Sequence, residues 1–135
     1  FLGLRIYDAR LWAPGALGPQ DWDRQSFALE LHYARSFEGP LIAQRSLEEM
    51  RRQRAIDNDT AQRWLGAMTS LFPDVREGDR LTGVHLADEA ARFFHNGRLR
   101  GEWRDAAFAR QFFGIWLAPS TSEPALREAL LGSRP

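Results

Sequence analysis

Apolar and polar residues alternate strictly along "SFALELHYAR", with Phe27, Leu29, Leu31 and Tyr33 on one side of an extended chain and Ala28, Glu30, His32 and Ala34 on the other. A period of two predicts a strand with one buried face. Upstream, Leu4 to Trp12 is rich in aromatic and branched residues and predicts another strand, ended by the prolines and glycines of "APGALGPQDWDRQ". The period then lengthens. In "EGPLIAQRSLEEMRRQR", Pro40 opens a helix whose stripe is Ala43, Leu47, Met50 and Arg54, with Leu41 and Ile42 helping to bury its first turn. A second helix, "NDTAQRWLGAMTSLF", is capped by Asn58 or Asp59, carries Ala61, Trp64, Leu65, Met68 and Phe72 on its apolar face, and is closed by Pro73.

"RLTGVHL" returns to the extended pattern, and Gly83 within it predicts a bend or a close backbone approach. Asn96-Gly97, between two extended segments, is the preferred pair for a type I′ hairpin turn. Asp105 then caps "DAAFARQFFGIWLA", with Phe108, Phe112, Ile115 and Trp116 on one broad apolar face. Pro119 ends that helix, and "SEPALREALLG" supplies a last one with Gly132 as its terminator. The order β, β, α, α, β, β-hairpin, α, α lacks the regular βαβ alternation of a doubly wound sheet. It predicts an α+β fold, an antiparallel sheet with helices over one face. At 135 residues the chain is the size of one domain.

Charge narrows the function classes. Eighteen basic residues, all arginine and scattered along the chain, balance eighteen acidic ones, so no net field draws it to nucleic acid. "RSLEEMRRQR" alternates the two signs and reads as a solvated helix face, with Glu48 placed to pair with Arg52. Cysteine is absent, which excludes disulfides and thiolate chemistry. No apolar run approaches the length of about 20 residues of a membrane span, and no transmembrane segment is expected. The motifs of zinc hydrolases, nucleophile elbows and phosphate-binding loops are missing. His32, His85 and His95 share no ligand spacing, so neither a metal nor any other cofactor is expected. Glu48 and Glu49 are adjacent on a helix, point in different directions and read as surface charges.

The first strand is the exception to this plain picture. Strand geometry puts Arg5 and Tyr7 on one face and Asp8 and Arg10 on the other. Either Asp8 and Arg10 form an exposed pair at a sheet edge, or one polar set lines a pocket under the helices. There an arginine and a tyrosine hydroxyl hold an anionic ligand head. A one-residue slip exchanges the two sets.

The segments "YDARLW", "GDRLTGV", "FFHNG" and "FFGIWLAPSTSEPALREALLG" together resemble the bacterial chalcone isomerase-like proteins, and the resemblance runs through nearly the whole chain. It implies a single chalcone isomerase-like domain over 1–135. The implied fold is an open-faced β-sandwich, in which a large antiparallel sheet is covered by helices and a ligand cleft lies between the layers. The superfamily includes plant enzymes that close chalcones to flavanones, plastid fatty-acid binders, and bacterial members that often carry export signals. The chain opens on Phe1, and a strand segment and any signal peptide are expected to be missing upstream. The resemblance thus implies a periplasmic or exported protein.

Carried over residue by residue, the enzymes' substrate arginine falls before Phe1. Their threonine aligns with Tyr7, their helix tyrosine with Leu41 or Ile42, their asparagine with Leu47 or Glu48, and a late hydroxyl residue with about Ile115. Three of these four positions lack the enzymes' residue type. Cyclising a chalcone needs donors placed where an enolate develops. A fatty-acid-like ligand needs only an apolar cleft, for which Met50, Phe112 and Trp116 are candidates, and a polar group for its head, for which Arg5, Tyr7 and, in the alternative facing, Arg10 are candidates. Three readings follow: a non-catalytic binder of a small hydrophobic or acyl carboxylate ligand, an intramolecular lyase or isomerase, and a partner-binding protein whose cleft is filled by its own side chains.

Overall fold

The computed structural model describes residues 6–132. Within them, five antiparallel strands, β1 (Tyr7–Trp12), β2 (Phe27–Tyr33), β3 (Arg80–Leu86), β4 (Ala90–His95) and β5 (Arg98–Trp103), lie in sequence order across one sheet. Helices α1 (Gly39–Met50) and α2 (Asn58–Leu71) are inserted between β2 and β3, and α3 (Ala106–Leu117) and α4 (Pro124–Leu130) follow β5. This is the expected α+β arrangement.

Register carries the alternation of β2 across the sheet. Tyr7 pairs with Tyr33, Leu31 with Leu81, Leu29 with Gly83, and Gly83 with Phe93, which puts the apolar members of successive strands on one face. That face and the helices share one core, in which Phe93, Phe108 and Phe113 are fully buried. Gly83 is where the layers meet most closely: a Cβ there would lie 3.0 Å from the Phe113 ring. The Asn96-Gly97 turn has positive φ at both residues, 50° and 85°, as a type I′ hairpin requires.

Local expectations fail at several points. Asp57, rather than Asn58 or Asp59, caps α2, its carboxylate accepting from the Thr60 N–H at 2.8 Å. Helix α1 stops at Met50, leaving Arg54 exposed and off the stripe. Glu49, three residues from Arg52, takes the ion pair expected of Glu48, at 3.9 Å. Gln53 and Gln111 join the end of α1 to α3. The Gln53 side-chain amide donates to the Gln111 carbonyl at 2.6 Å, and the Gln111 amide donates to the carbonyls of Met50 and Arg54. The carbonyls at the end of α1 are therefore satisfied both by a last tight turn, in which the Arg52 and Gln53 N–H groups donate to Glu49 and Met50, and by the Gln111 amide of α3.

The histidines do not converge. His32 is exposed on the outer face, His95 donates from Nε2 to the Asp79 carboxylate at the β3–β4 end, and His85 is buried among Trp22, Phe27 and Phe113. Among the described residues no group of acidic and histidine side chains could hold a metal ion. His85 Nδ1 lies 2.7 Å from the Gln25 carbonyl oxygen, which can only accept, so the neutral ring carries its proton on Nδ1. Burial holds its pKa below the ordinary histidine value. Below about pH 6.5 the unfolded chain takes up a proton that the folded chain resists, so stability falls as pH drops through that value. Denaturant melts between pH 8 and 5 should show this loss, with a slope from this group of at most about 1.4 kcal/mol per pH unit, and His85→Gln should remove it.

Candidate functional site

Between the β1–β2 end of the sheet and helices α1 and α3 lies a cavity of about 320 Å³, open on one side. Helical and strand periodicity together build its wall. Phe112, Ile115 and Trp116 come from one face of α3 at spacings of three and four, while Tyr7, Leu31 and Tyr33 come from the inner face of β1 and β2. Phe112 is anchored by edge contacts to Phe93 and Phe113 at 5.2 and 5.1 Å, and Tyr7 packs edge-on against Tyr33 at 5.5 Å. Asp105 fixes the start of α3 by accepting from the Phe108 N–H, and its second oxygen accepts from the Trp64 indole of α2.

The open side is made by α1 and the α3–α4 turn. Thr121 holds that turn, its hydroxyl donating to the Ile115 carbonyl at 2.6 Å and accepting from the Glu123 N–H. Ser122 then reaches across and donates to Glu49 at 2.7 Å, tying the turn to α1. Glu48, Glu49 and Glu123 stand around the opening with Arg45. Glu48 and Glu49 are thus more than a solvated face: the apolar stripe of α1 is turned so that its acidic shoulder borders the cavity.

Tyr7 presents a partly buried hydroxyl to the cavity. Its oxygen accepts from the Trp116 indole N–H at 2.8 Å. Burial raises its pKa; the Trp116 bond opposes that, and the charges of Glu123 and Glu49 add to it. Tyr33 is raised by burial too. Both phenols are neutral donors at physiological pH.

Of the expected binding residues, Tyr7, Phe112 and Trp116 are brought together here. Arg10 is not: it is exposed on the outer face of β1 opposite Glu30, because Tyr7, Ala9 and Leu11 take the inner face. Met50 is fully buried but in the core behind α1, off the cavity wall. Arg5 lies outside the described residues. Leu41 borders the cavity with 36% of its surface exposed and does not bury the first turn as expected. Sequence reasoning missed Leu31, Tyr33, Ser46, Ser122 and Glu123. Only Ser46 carried a local signal, a small polar residue beside Leu47 on an otherwise apolar helix face.

The chalcone isomerase-like family model matches residues 18–132. The chain belongs to the chalcone isomerase-like family. A protein of Haemophilus influenzae is 31% identical over 115 residues, which are 85% of this chain and 56% of the relative, so the chain spans about half the length of the curated relative it matches. The crystal structure of a fatty-acid binding protein of Arabidopsis thaliana has the same fold, with a TM-score of 0.73 at 12% identity over 97% of this chain and 80% of that one. In this family member the positions that the resemblance aligns with the enzymes' polar groups now have places. Tyr7, Leu41, Ile42, Glu48 and Ile115 all border the cavity, and Leu47 is buried. At these positions Leu41, Ile42 and Ile115 present hydrocarbon to the cavity and Tyr7 alone a hydroxyl.

Proposed function

We propose that this chalcone isomerase-like protein binds a small hydrophobic ligand of acyl or aromatic type in the cleft between sheet and helices, without transforming it. The observation that carries the reading is the cavity itself, about 320 Å³ with Leu31, Phe72, Leu81, Phe112, Ile115 and Trp116 in its wall. A volume at the lower end of the usual range for small-molecule sites, with an apolar inner wall and the charged groups at the opening, suits an apolar body. The filled-cleft reading requires no such void. The isomerase reading requires donors arranged around a developing enolate, and the hydroxyls of the described wall, Tyr7, Tyr33, Ser46 and Ser122, stand among mostly hydrocarbon neighbours. A fatty-acid binder of the same fold supports the assignment by analogy. Export to the periplasm is part of the proposal and rests on the family resemblance alone; cell fractionation checks it.

Native mass spectrometry of protein purified without detergent, followed by denaturing extraction, tests the binding reading. A co-purifying acyl or aromatic compound at near one-to-one stoichiometry is expected. An empty protein that gains no thermal stability from fatty acids, acyl esters or flavonoids would overturn it. Loss of chalcone absorbance at a rate proportional to protein would favour the isomerase reading instead.

A further inference from the structure

Asp79 stands at the end of the sheet where the last residue of β2, the start of β3 and the β4–β5 turn meet. One carboxylate oxygen accepts from the Arg76 N–H at 2.9 Å and from His95 Nε2 at 3.0 Å, and the other accepts from the Asn96 side-chain amide at 3.1 Å. These donors, Arg76 first and then His95 and Asn96, hold its pKa down to about 2, so it is a carboxylate at neutral and alkaline pH. The Asn96 amide is held at its other end as well, where Oδ1 accepts from the Arg80 N–H at 2.8 Å. Backbone bonds close the cluster: the Asn96 N–H donates to the Arg80 carbonyl and the Tyr33 N–H to the Asp79 carbonyl. Gly97 follows Asn96, and that pair carries a chemistry of its own. With no side chain to hinder it, a glycine nitrogen readily attacks the side-chain amide of the asparagine before it. The Gly97 nitrogen bonds to Asn96 Cγ, the Cγ–Nδ2 bond breaks, and Nδ2 leaves as ammonia with the proton that the Gly97 nitrogen gives up. Water then opens the cyclic imide at one of its two C–N bonds, leaving either aspartate or an isoaspartyl linkage.

Asn96 is exposed, so exclusion of water does not prevent this reaction. Orientation does. The attack needs the amide to turn its face to the Gly97 nitrogen, and here one bond at each end fixes the amide against β3, the bond to Asp79 being charge-assisted. We propose that Asn96 is the deamidation site of this chain and that the Asp79 carboxylate clamps it shut in the folded protein. The other asparagine, Asn58, precedes Asp59, whose side chain hinders the attacking nitrogen. Once the reaction has run, the clamp does not re-form. An aspartate at position 96 sets a second carboxylate against Asp79, and an isoaspartyl linkage adds a backbone carbon to a two-residue turn whose positive φ values match the twist of β4 and β5.

Peptide mapping by mass spectrometry during incubation at pH 9 tests this, with Asn58 as the internal comparison. In the chain denatured in guanidinium, Asn96 is expected to deamidate well ahead of Asn58. In the native protein the Asn96 rate should fall at least about tenfold, because the attack must first break both amide bonds. Asp79→Ala should restore most of that rate. Lost stability would also speed the reaction, through the unfolded fraction, so the variant is followed at guanidinium concentrations below its unfolding transition. Release of the clamp gives a raised rate that the denaturant does not change, whereas global unfolding gives one that climbs with it. Asp79→Asn, which keeps the shape and an acceptor at position 79, should give an intermediate rate and serves as the test if the alanine variant does not fold. Equal Asn96 rates in the native and denatured chain overturn the proposal. So does a native rate in the Asp79 variants no faster than the parent's, or one that rises only with guanidinium.

Discussion

Phe113→Ala is expected to lower the free energy of unfolding by about 3–5 kcal/mol, a large part of what holds a domain of this size together. Phe113 is fully buried, and its ring meets Phe27 at 5.2 Å, His85 at 5.3 Å and Phe112 at 5.1 Å, so it joins the sheet to α3. The glycine opposite makes the test sharper. Because a Cβ on Gly83 would sit 3.0 Å from the Phe113 ring, Gly83→Ala alone overpacks the layer and is expected to cost about 1–3 kcal/mol. In the Phe113→Ala background the same methyl group enters the space the ring has left, and its cost should largely vanish. A denaturant double-mutant cycle reads the coupling. Strict additivity would show that the two layers are not in the contact described.

Ser46→Phe should abolish ligand binding, with affinity falling by at least about a hundredfold, or about 2.7 kcal/mol. Ser46 lies on the cavity side of α1 with 9% of its surface exposed, and a benzyl side chain from that position extends into the void. Stability should change little or rise, since the added ring buries apolar surface without displacing packed atoms. Methyl decanoate titration and the recovery of co-purifying ligand both read the effect, and a thermal melt separates occlusion from misfolding. A stable variant that binds as the parent does would move the ligand out of this cavity.

Sequence and structure contribute unequally to these two expectations. The elements were legible because each carries its own local signal: the alternation of Phe27 to Tyr33, the helical spacing of Phe108, Phe112 and Ile115, the Asp105 cap, and the Asn96-Gly97 turn. So was the reason for Gly83, a residue without a side chain in a strand otherwise fit to be buried. The site was legible only where it coincides with those patterns, as at Tyr7, Phe112 and Trp116. Arg10 and Met50 failed for opposite reasons. One sits on a face that strand parity alone cannot orient, and the other belongs to a helix face whose rotation decides between core and cavity.

By itself, then, the sequence determined the elements, their order and the antiparallel α+β class, because periodicity, caps and turns act over a few residues. Only the tertiary structure decided which side of β1 looks inward, how far α1 turns toward the sheet, and that Ser122 meets Glu49 across 73 positions. Those outcomes depend on how whole layers settle against one another. It is that settling, through the Phe113–Gly83 contact and the Gln53–Gln111 bonds, that positions the helices over the sheet and leaves the cavity open.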